Sequence, residues 1–332
     1  MQAAITTDTG GFEVTELPDP APRIDEVVVR VAACGVCGSD LKARPFMPAG
    51  TVMGHELGGE VVAVGADAAA QGWREGDLAA ALPVISCGTC VRCAAGDVAH
   101  CSSVRFIGMG SDGGGFAEFA VVPARHAFPV PHEIPPLHAA LVEPFAVGLH
   151  AVNAAEIAPG DEVLVIGAGG VGLTTVAWAR ARGAGRVTAV DPDAGRREAA
   201  RATGAHDVLA SLDDALREGY DAAIECVGHP ELVAAAPASV RARGRVVVAG
   251  ACDRPIPVEP VAALLKELTF RFSVCYRPSE FRTVIDAFSS GVIDPSTVIG
   301  PVVELGRLDE AFDLVRTTGT EGRVLVTPLT SA

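Results

Sequence analysis

Cys87, Cys90, Cys93 and Cys101 fall within fifteen consecutive residues, spaced C-x2-C-x2-C-x7-C. No other stretch restricts the folded chain so tightly. Four thiolates at this spacing can close on one tetrahedral Zn²⁺, with Zn–S near ~2.3 Å. Four sulfurs leave no open coordination position, so a metal held there is structural. The chain has nine cysteines, an odd number, and its first residues show neither a cationic start nor an apolar run of signal-peptide length. Disulfides therefore explain the cysteines poorly, and metal binding in a reducing compartment explains them better. Cys34, Cys226, Cys252 and Cys275 stand in apolar surroundings and read as buried small hydrophobes.

A length of 332 residues suggests two domains. With 49% hydrophobic and 20% charged residues, a large core can form and disorder is disfavoured. Net charge is −15, from 41 acidic and 26 basic residues. That balance argues against nucleic acid or an anionic membrane as partner, since phosphate binding needs clustered cations. The apolar stretch 139–152 is interrupted by Glu143 and Pro144, so no membrane span is expected. The chain reads as soluble and cytoplasmic.

Up to about residue 150 the pattern is short β-type runs, at 27–31, 60–64 and 117–122, punctuated by Gly and Pro. This predicts a β-rich, barrel-like domain. Apolar strands at 162–166, 186–190, 221–225 and 245–249 then alternate with helices, as at 173–182 and 194–203. Such alternation predicts an α/β domain whose parallel sheet is covered on both faces. Beyond 277 come helices at 281–288 and 308–317 and a strand at 323–326. Periodicity alone does not say which domain this tail joins.

Gly167, Gly169, Gly170, Val171 and Gly172 belong to a G-x-G-x-x-G run that follows a predicted strand and opens a predicted helix. Gly167 permits the tight turn, Gly169 lets backbone approach a pyrophosphate, and Gly172 lets the helix pack on the strand. Asp191 lies 24 residues after Gly167, where a carboxylate accepts both ribose hydroxyls of NAD and repels the 2′-phosphate of NADP. It also suits a helix cap, because Pro192 fits a first helical turn.

A second set of donors is dispersed: Cys37, His55 with Glu56, and Glu143. Thiolate, imidazole and carboxylate all bind zinc, and a mixed set with a free position is the catalytic pattern. The segments Cys37-Gly38-Ser39-Asp40, Gly54-His55-Glu56, the four-cysteine lobe, Glu143-Pro144 and the GAGGVG loop follow one another as in the zinc-containing medium-chain alcohol dehydrogenases, which the whole chain resembles. The Glu143-Pro144 pair is similar to the polyol, threonine and butanediol dehydrogenase branch.

The resemblance implies a Rossmann-type doubly wound parallel sheet inserted into a GroES-like β-barrel catalytic domain. Residues 1–150 would form the catalytic domain, with the structural-zinc lobe at about 85–105. Residues 151–277 would bind NAD, and 278–332 would return to the catalytic domain. Cys37 and His55 are then catalytic-zinc ligands, and Glu56 and Glu143 bind the same ion directly or through water. Asp40 orients His55, and Ser39 takes the alcohol's proton. Asp191 and Arg196 flank the adenosine ribose, while Val248, Ala249 and Gly250 lie on the nicotinamide side. Many relatives have histidine three residues after the serine; here Lys42 stands there and would finish the proton path. Only seventeen residues separate Cys37 from His55, fewer than in most relatives, which should change one wall of the substrate entrance. Phe46, Met47, Phe106 and Phe145 are candidate pocket residues.

The expected complement is two zinc ions per subunit, one catalytic and one structural, plus NAD(H). The expected substrate is a small alcohol or polyol, and the expected assembly a homodimer or homotetramer, with a sheet edge near 270–276 available for pairing. The expected reaction is reversible oxidation of a secondary alcohol or polyol carbon to a ketone by hydride transfer to NAD⁺. Two rivals are a zinc-free, NADPH-dependent quinone or enone reductase and a non-catalytic zinc- and nucleotide-binding protein. Asp191 and the intact ligand sets disfavour the first. The joint presence of Cys37, Ser39, His55 and Glu143 disfavours the second. His100, His126, His132, His138, His206 and His229 lack ligand spacing and read as surface or loop residues, whereas His150 should pack near the domain junction.

Overall fold

Val27, Val28, Val29 and Val31 lie in the ten-residue strand Glu26–Gly35, the hub of a seven-stranded sheet. β-branched residues suit a pleated surface buried on both faces. One edge of the hub pairs antiparallel with Glu56–Val64. The other edge is shared, with Phe119–Pro123 along its first half and Arg323–Thr327 at Cys34 and Gly35. Leu78–Ala81 and Ala127–Val130 continue the sheet beyond Glu56–Val64, and Ile299–Glu304 pairs parallel with Arg323–Thr327. The final strands of the chain thus complete the first sheet, which periodicity left open. The computed structural model describes residues 1–110, 112–215, 219–317 and 321–328; positions 329–332 of the expected returning segment lie outside them.

The second sheet has six parallel strands, in the order Asp207–Leu209, Arg186–Val190, Glu162–Ile166, Tyr220–Glu225, Val240–Val248, Thr269–Phe272. This is the expected doubly wound sheet. Strand order reverses between Glu162–Ile166 and Tyr220–Glu225, and at such a point the carboxyl ends of neighbouring strands open a crevice. The glycine run leads from Glu162–Ile166 into the helix Gly170–Ala181. Gly167 has φ +94°, a backbone region that favours glycine. A side chain at Gly172 would collide with the Gly167 carbonyl, so this glycine closes the loop on itself rather than serving the strand behind it.

The reading of residues 1–150 as strands and turns missed the helix Val142–Ala154, which runs through position 150. Pro144 is its third residue, where the missing N–H would have had no partner within the helix. Trp178 donates its indole N–H to the Phe145 carbonyl at 2.8 Å, fastening this helix to Gly170–Ala181. His150 donates from Nδ1 to Glu280 Oε2 at 2.9 Å, fastening it to Pro278–Ser289. One apolar core fills the first sheet's interior around Val29, Leu57, Phe116 and Phe312, and a larger one joins the Val142–Ala154 helix to the parallel sheet. Among the described residues, no helix is long and apolar enough to cross a membrane.

Candidate active site

The antiparallel register between the hub and its neighbour sets Gly35 opposite Glu56. Cys37 lies two residues after Gly35 and His55 one residue before Glu56, at the same end of this pairing, so backbone pairing alone brings thiol and imidazole together. Gly35 is required here, because a side chain would occupy the space of the Glu56 carboxylate. Cys37 caps the short helix Gly38–Ala43, and Asp40 in its first turn is fully buried. Asp40 Oδ2 accepts the Cys37 N–H at 2.8 Å, and its Oδ1 accepts His55 Nδ1–H at 3.0 Å. One carboxylate therefore fixes both neighbours and turns His55 Nε2 toward the cavity.

His55 Nε2 lies 3.4 Å from Ser39 Oγ and 3.9 Å from Glu56 Oε1. Donor atoms of Cys37, His55 and Glu56 all fall within 4.8 Å of one another. Glu143, second residue of its helix, accepts the Tyr276 hydroxyl at Oε1, 2.8 Å away. Burial pushes the Glu143 carboxyl up to about 7. Burial also opposes the Cys37 thiolate, but Arg323 and His55 outweigh it and bring the thiol down to about 6. For His55, burial disfavours the cation, yet Asp40 overrides it and holds the imidazole well above its ordinary value. A thiol, an imidazole nitrogen and carboxylate oxygens converging in one buried space form a donor set suited to Zn²⁺.

These groups form one end of a cavity of about 670 Å³. Its lining continues through Gly167, Gly169, Gly170 and Val171 with Asp191 and Arg196, and includes Ala249, Gly250 and Ala251. Nothing crowds the position a Cβ would take on Gly169, so backbone faces open space where a pyrophosphate would approach. Asp191 is buried at its strand end, accepting N–H groups from Ala168 and Asp193 at 2.9 Å each. Arg196 reaches the Val315 carbonyl at 3.3 Å. Lys42, at the cavity wall, donates to the Ala251 carbonyl at 2.5 Å. Val248 is buried in its strand, and neither it nor Gly172 lines the cavity. Of the four candidate pocket residues only Phe106 does; Phe46 is 82% exposed and Phe145 is wholly in the core. Cys226 and Cys275, read as buried hydrophobes, line the cavity.

Away from the cavity, the four-cysteine lobe has sulfur–sulfur separations of 3.8 Å (Cys87–Cys93), 3.5 Å (Cys90–Cys93) and 3.9 Å (Cys90–Cys101). Tetrahedral geometry at Zn–S ~2.3 Å calls for about 3.8 Å, so the sulfurs fit a zinc ion. The Thr89 hydroxyl and the N–H groups of Thr89 and Cys90 donate to Cys87 Sγ and pull this thiol down to about 5.

Three side chains that support the two donor clusters escaped sequence reasoning. Arg323 is buried; its Nε donates to Glu56 Oε2 at 2.8 Å, its Nη2 contacts Glu56 Oε1, and a side chain at Gly170 would run into its guanidinium. It links the donor cluster to the glycine loop. Tyr276 is the second. His126, read as a surface or loop residue, is the third: it is only 4% exposed, and its Nε2 accepts the Ser86 N–H at 3.0 Å, just before Cys87. None lies in a motif.

Residues 23–132 match the alcohol dehydrogenase GroES-like domain family, and residues 170–290 match the zinc-binding dehydrogenase family. The chain is 31% identical over 339 residues to a sorbitol dehydrogenase of Bacillus subtilis, covering 94% of this chain and 93% of that one. It is 32% identical to an L-threonine 3-dehydrogenase of Saccharopolyspora erythraea, covering 98% of each. Among solved structures, a short chain alcohol dehydrogenase (rspB) from E. coli CFT073, complexed with NADH, superposes with a TM-score of 0.90 at 29% identity, covering 98% of this chain and 99% of that one.

Proposed function

The chain belongs to the zinc-containing medium-chain alcohol and polyol dehydrogenase family, and on that premise we propose that it oxidises a secondary alcohol or polyol carbon to a ketone, reversibly, with NAD⁺ as hydride acceptor. The observation that carries this reading is one cavity with the Cys37–His55–Glu56 donors at one end and the glycine loop at the other. Cys37, His55, Glu56 and Glu143 would hold the catalytic zinc, and Cys87, Cys90, Cys93 and Cys101 the structural one. When bound, the catalytic ion supplies Lewis acidity that makes a hydroxyl easier to deprotonate.

The chain's own residues do the rest. Ser39 accepts the proton and relays it outward, and Lys42 is the group that finishes the path. Asp40 keeps His55 in one tautomer. Glycine-loop N–H groups and Arg323 receive the pyrophosphate, and Asp191 selects NAD through the ribose hydroxyls, with Arg196 alongside. Ala249 and Gly250 flank the nicotinamide, with Val248 fixing their strand. Residues 1–150 and 278–332 act as the catalytic part and 151–277 as the cofactor part, a division supported by the pairing of Arg323–Thr327 with the hub strand. A homodimer or homotetramer is supported by the edge strand Thr269–Phe272, where Phe272 and, on the preceding helix, Leu264 and Leu265 are exposed. Nine cysteines, five of them candidate zinc ligands, support a reducing, cytoplasmic setting. Dehydrogenase relatives favour this reading over both a zinc-free reductase and a non-catalytic binding protein.

Cys37→Ala tests it. Zinc content should fall from two equivalents to one, turnover should drop on the order of 10³-fold, and NADH binding should persist. A single zinc equivalent in the intact protein, held by the four-sulfur lobe with activity undiminished, would sink the reading.

A further inference from the structure

The donor-cluster end of the cavity has a wall drawn from Leu41, Pro83, Val84, Phe106, Met109 and Cys275. None of these belongs to a strand of the parallel sheet. Val84 and Phe106 face each other in a two-stranded ladder, Val84–Ile85 with Arg105–Phe106. Cys275 directly precedes Tyr276, whose hydroxyl donates to Glu143, which places it at the donor cluster. The wall is apolar throughout.

The polar side chains at this end gather at the donor cluster and the cofactor side rather than on this wall. The Tyr276 hydroxyl donates to Glu143. Ser39 Oγ faces His55 Nε2, and Lys42 Nζ is drawn to the Ala251 carbonyl on the cofactor side. The Pro83 carbonyl accepts the Ile107 N–H at 2.9 Å. A polyol brings a row of hydroxyls on the carbons next to the reacting one. Against this wall those hydroxyls would lose water and find no side-chain partner among the described residues, and unpaired polar groups are costly in an apolar site.

We infer that the substrate is a secondary alcohol with an aryl or alkyl substituent, whose apolar group packs on the Val84–Phe106–Met109 wall, rather than a polyol. This rests on the dehydrogenase reading above and narrows it. In the reaction the carbinol C–H bond breaks and its electron pair passes to C4 of the NAD⁺ nicotinamide. The O–H bond breaks, its proton leaves through Ser39, and the C=O π bond forms, so that alcohol and NAD⁺ give ketone, NADH and H⁺.

The experiment uses zinc-loaded enzyme with NAD⁺ and compares kcat/KM for 1-phenylethanol and 2-heptanol with that for sorbitol and xylitol. The apolar pair should be favoured by about 100-fold, the scale on which a pocket discriminates by burial. Met109→Gln, a half-buried and nearly isosteric change, should narrow that preference about tenfold while leaving zinc content and KM for NAD⁺ as they were. Phe106→Ser should act in the same direction. If polyols are oxidised as efficiently as the apolar alcohols, or if both variants leave the preference intact, the inference fails and the dehydrogenase reading stands. If enzyme carrying two zinc ions and binding NADH oxidises neither class, both fail.

Discussion

The four-cysteine lobe and the Cys37–His55–Glu56 cluster both gather donors at metal-binding distance, yet almost everything around the donors differs. The lobe takes all four ligands from one short loop, and Cys87, Cys90 and Cys93 remain partly exposed. Its supporting hydrogen bonds come largely from within, as at Thr89 and Cys90. The cluster draws its donors Cys37, His55 with Glu56, and Glu143 from three separated segments. It is ringed by buried charge: Asp40, Glu56, Glu143 and Arg323 are each less than a tenth exposed. Buried charges are tolerated only when paired and hydrogen-bonded, and here each has a named partner. A site that only braces a loop can be written locally. A site that must hold a reacting group with one face open needs remote supports to fix its geometry.

The sharpest way to break this contrast is Cys90→Ala. A structural zinc supplies on the order of 10 kcal/mol to a small zinc domain, so the largest effect on stability is expected here. The variant should lose one of two zinc equivalents and expose the 85–105 segment to protease, while the Cys37 ion is retained. Zinc stoichiometry and limited proteolysis measure both. Full metal content with an unchanged unfolding midpoint would mean that the two clusters do not differ in kind.

The same contrast explains what the sequence reveals. The C-x2-C-x2-C-x7-C spacing and the glycine run are local, and for such motifs short-range geometry dictates the outcome. Four of the six strands of the parallel sheet were legible as apolar runs among helices, Thr269–Phe272 only as a sheet edge near 270–276 and Asp207–Leu209 not at all, while the 194–203 helix has the expected bounds. The helix Val142–Ala154 was not, because Glu143 and Pro144 look like interruptions until the first-turn position is known. Arg323 is silent in sequence: its link to Glu56 spans 267 residues and depends on the last strand returning to the hub. Phe145 illustrates the reverse error, since its neighbour Glu143 faces the cavity while its own ring stacks edge-on with Phe288 in the core.

His126 tests how local the lobe really is. Forty residues from Ser86, it accepts the Ser86 N–H, while Arg125 donates to the Ser86 carbonyl at 2.7 Å. Burial, with a smaller push from Arg125, lowers the imidazole from its ordinary 6.5 to about 4. Between these values the unfolded chain binds a proton that the folded chain refuses. Stability is therefore complete above 6.5 and is lost as pH falls toward 4, by about 3 kcal/mol from this group. His126→Asn keeps an acceptor but cannot titrate in that range. The difference in unfolding free energy between the native protein and this variant should shrink as pH falls from 6.5 to 4, while thiolate protonation, common to both, cancels. A difference independent of pH would mean that the lobe's stem does not rely on a neutral histidine.

Tyr276→Phe gives the smallest effect and sharpens the other side of the comparison. The ring packs against Phe281 at 4.9 Å between centroids, and phenylalanine keeps that contact. Only the hydroxyl that donates to Glu143 is lost. A buried acceptor deprived of its donor costs about 1–3 kcal/mol. Urea unfolding of the zinc-loaded protein should therefore show a lower midpoint with the same m-value. An unchanged midpoint would mean that Glu143 needs no remote support, and the cluster would then be as self-contained as the lobe.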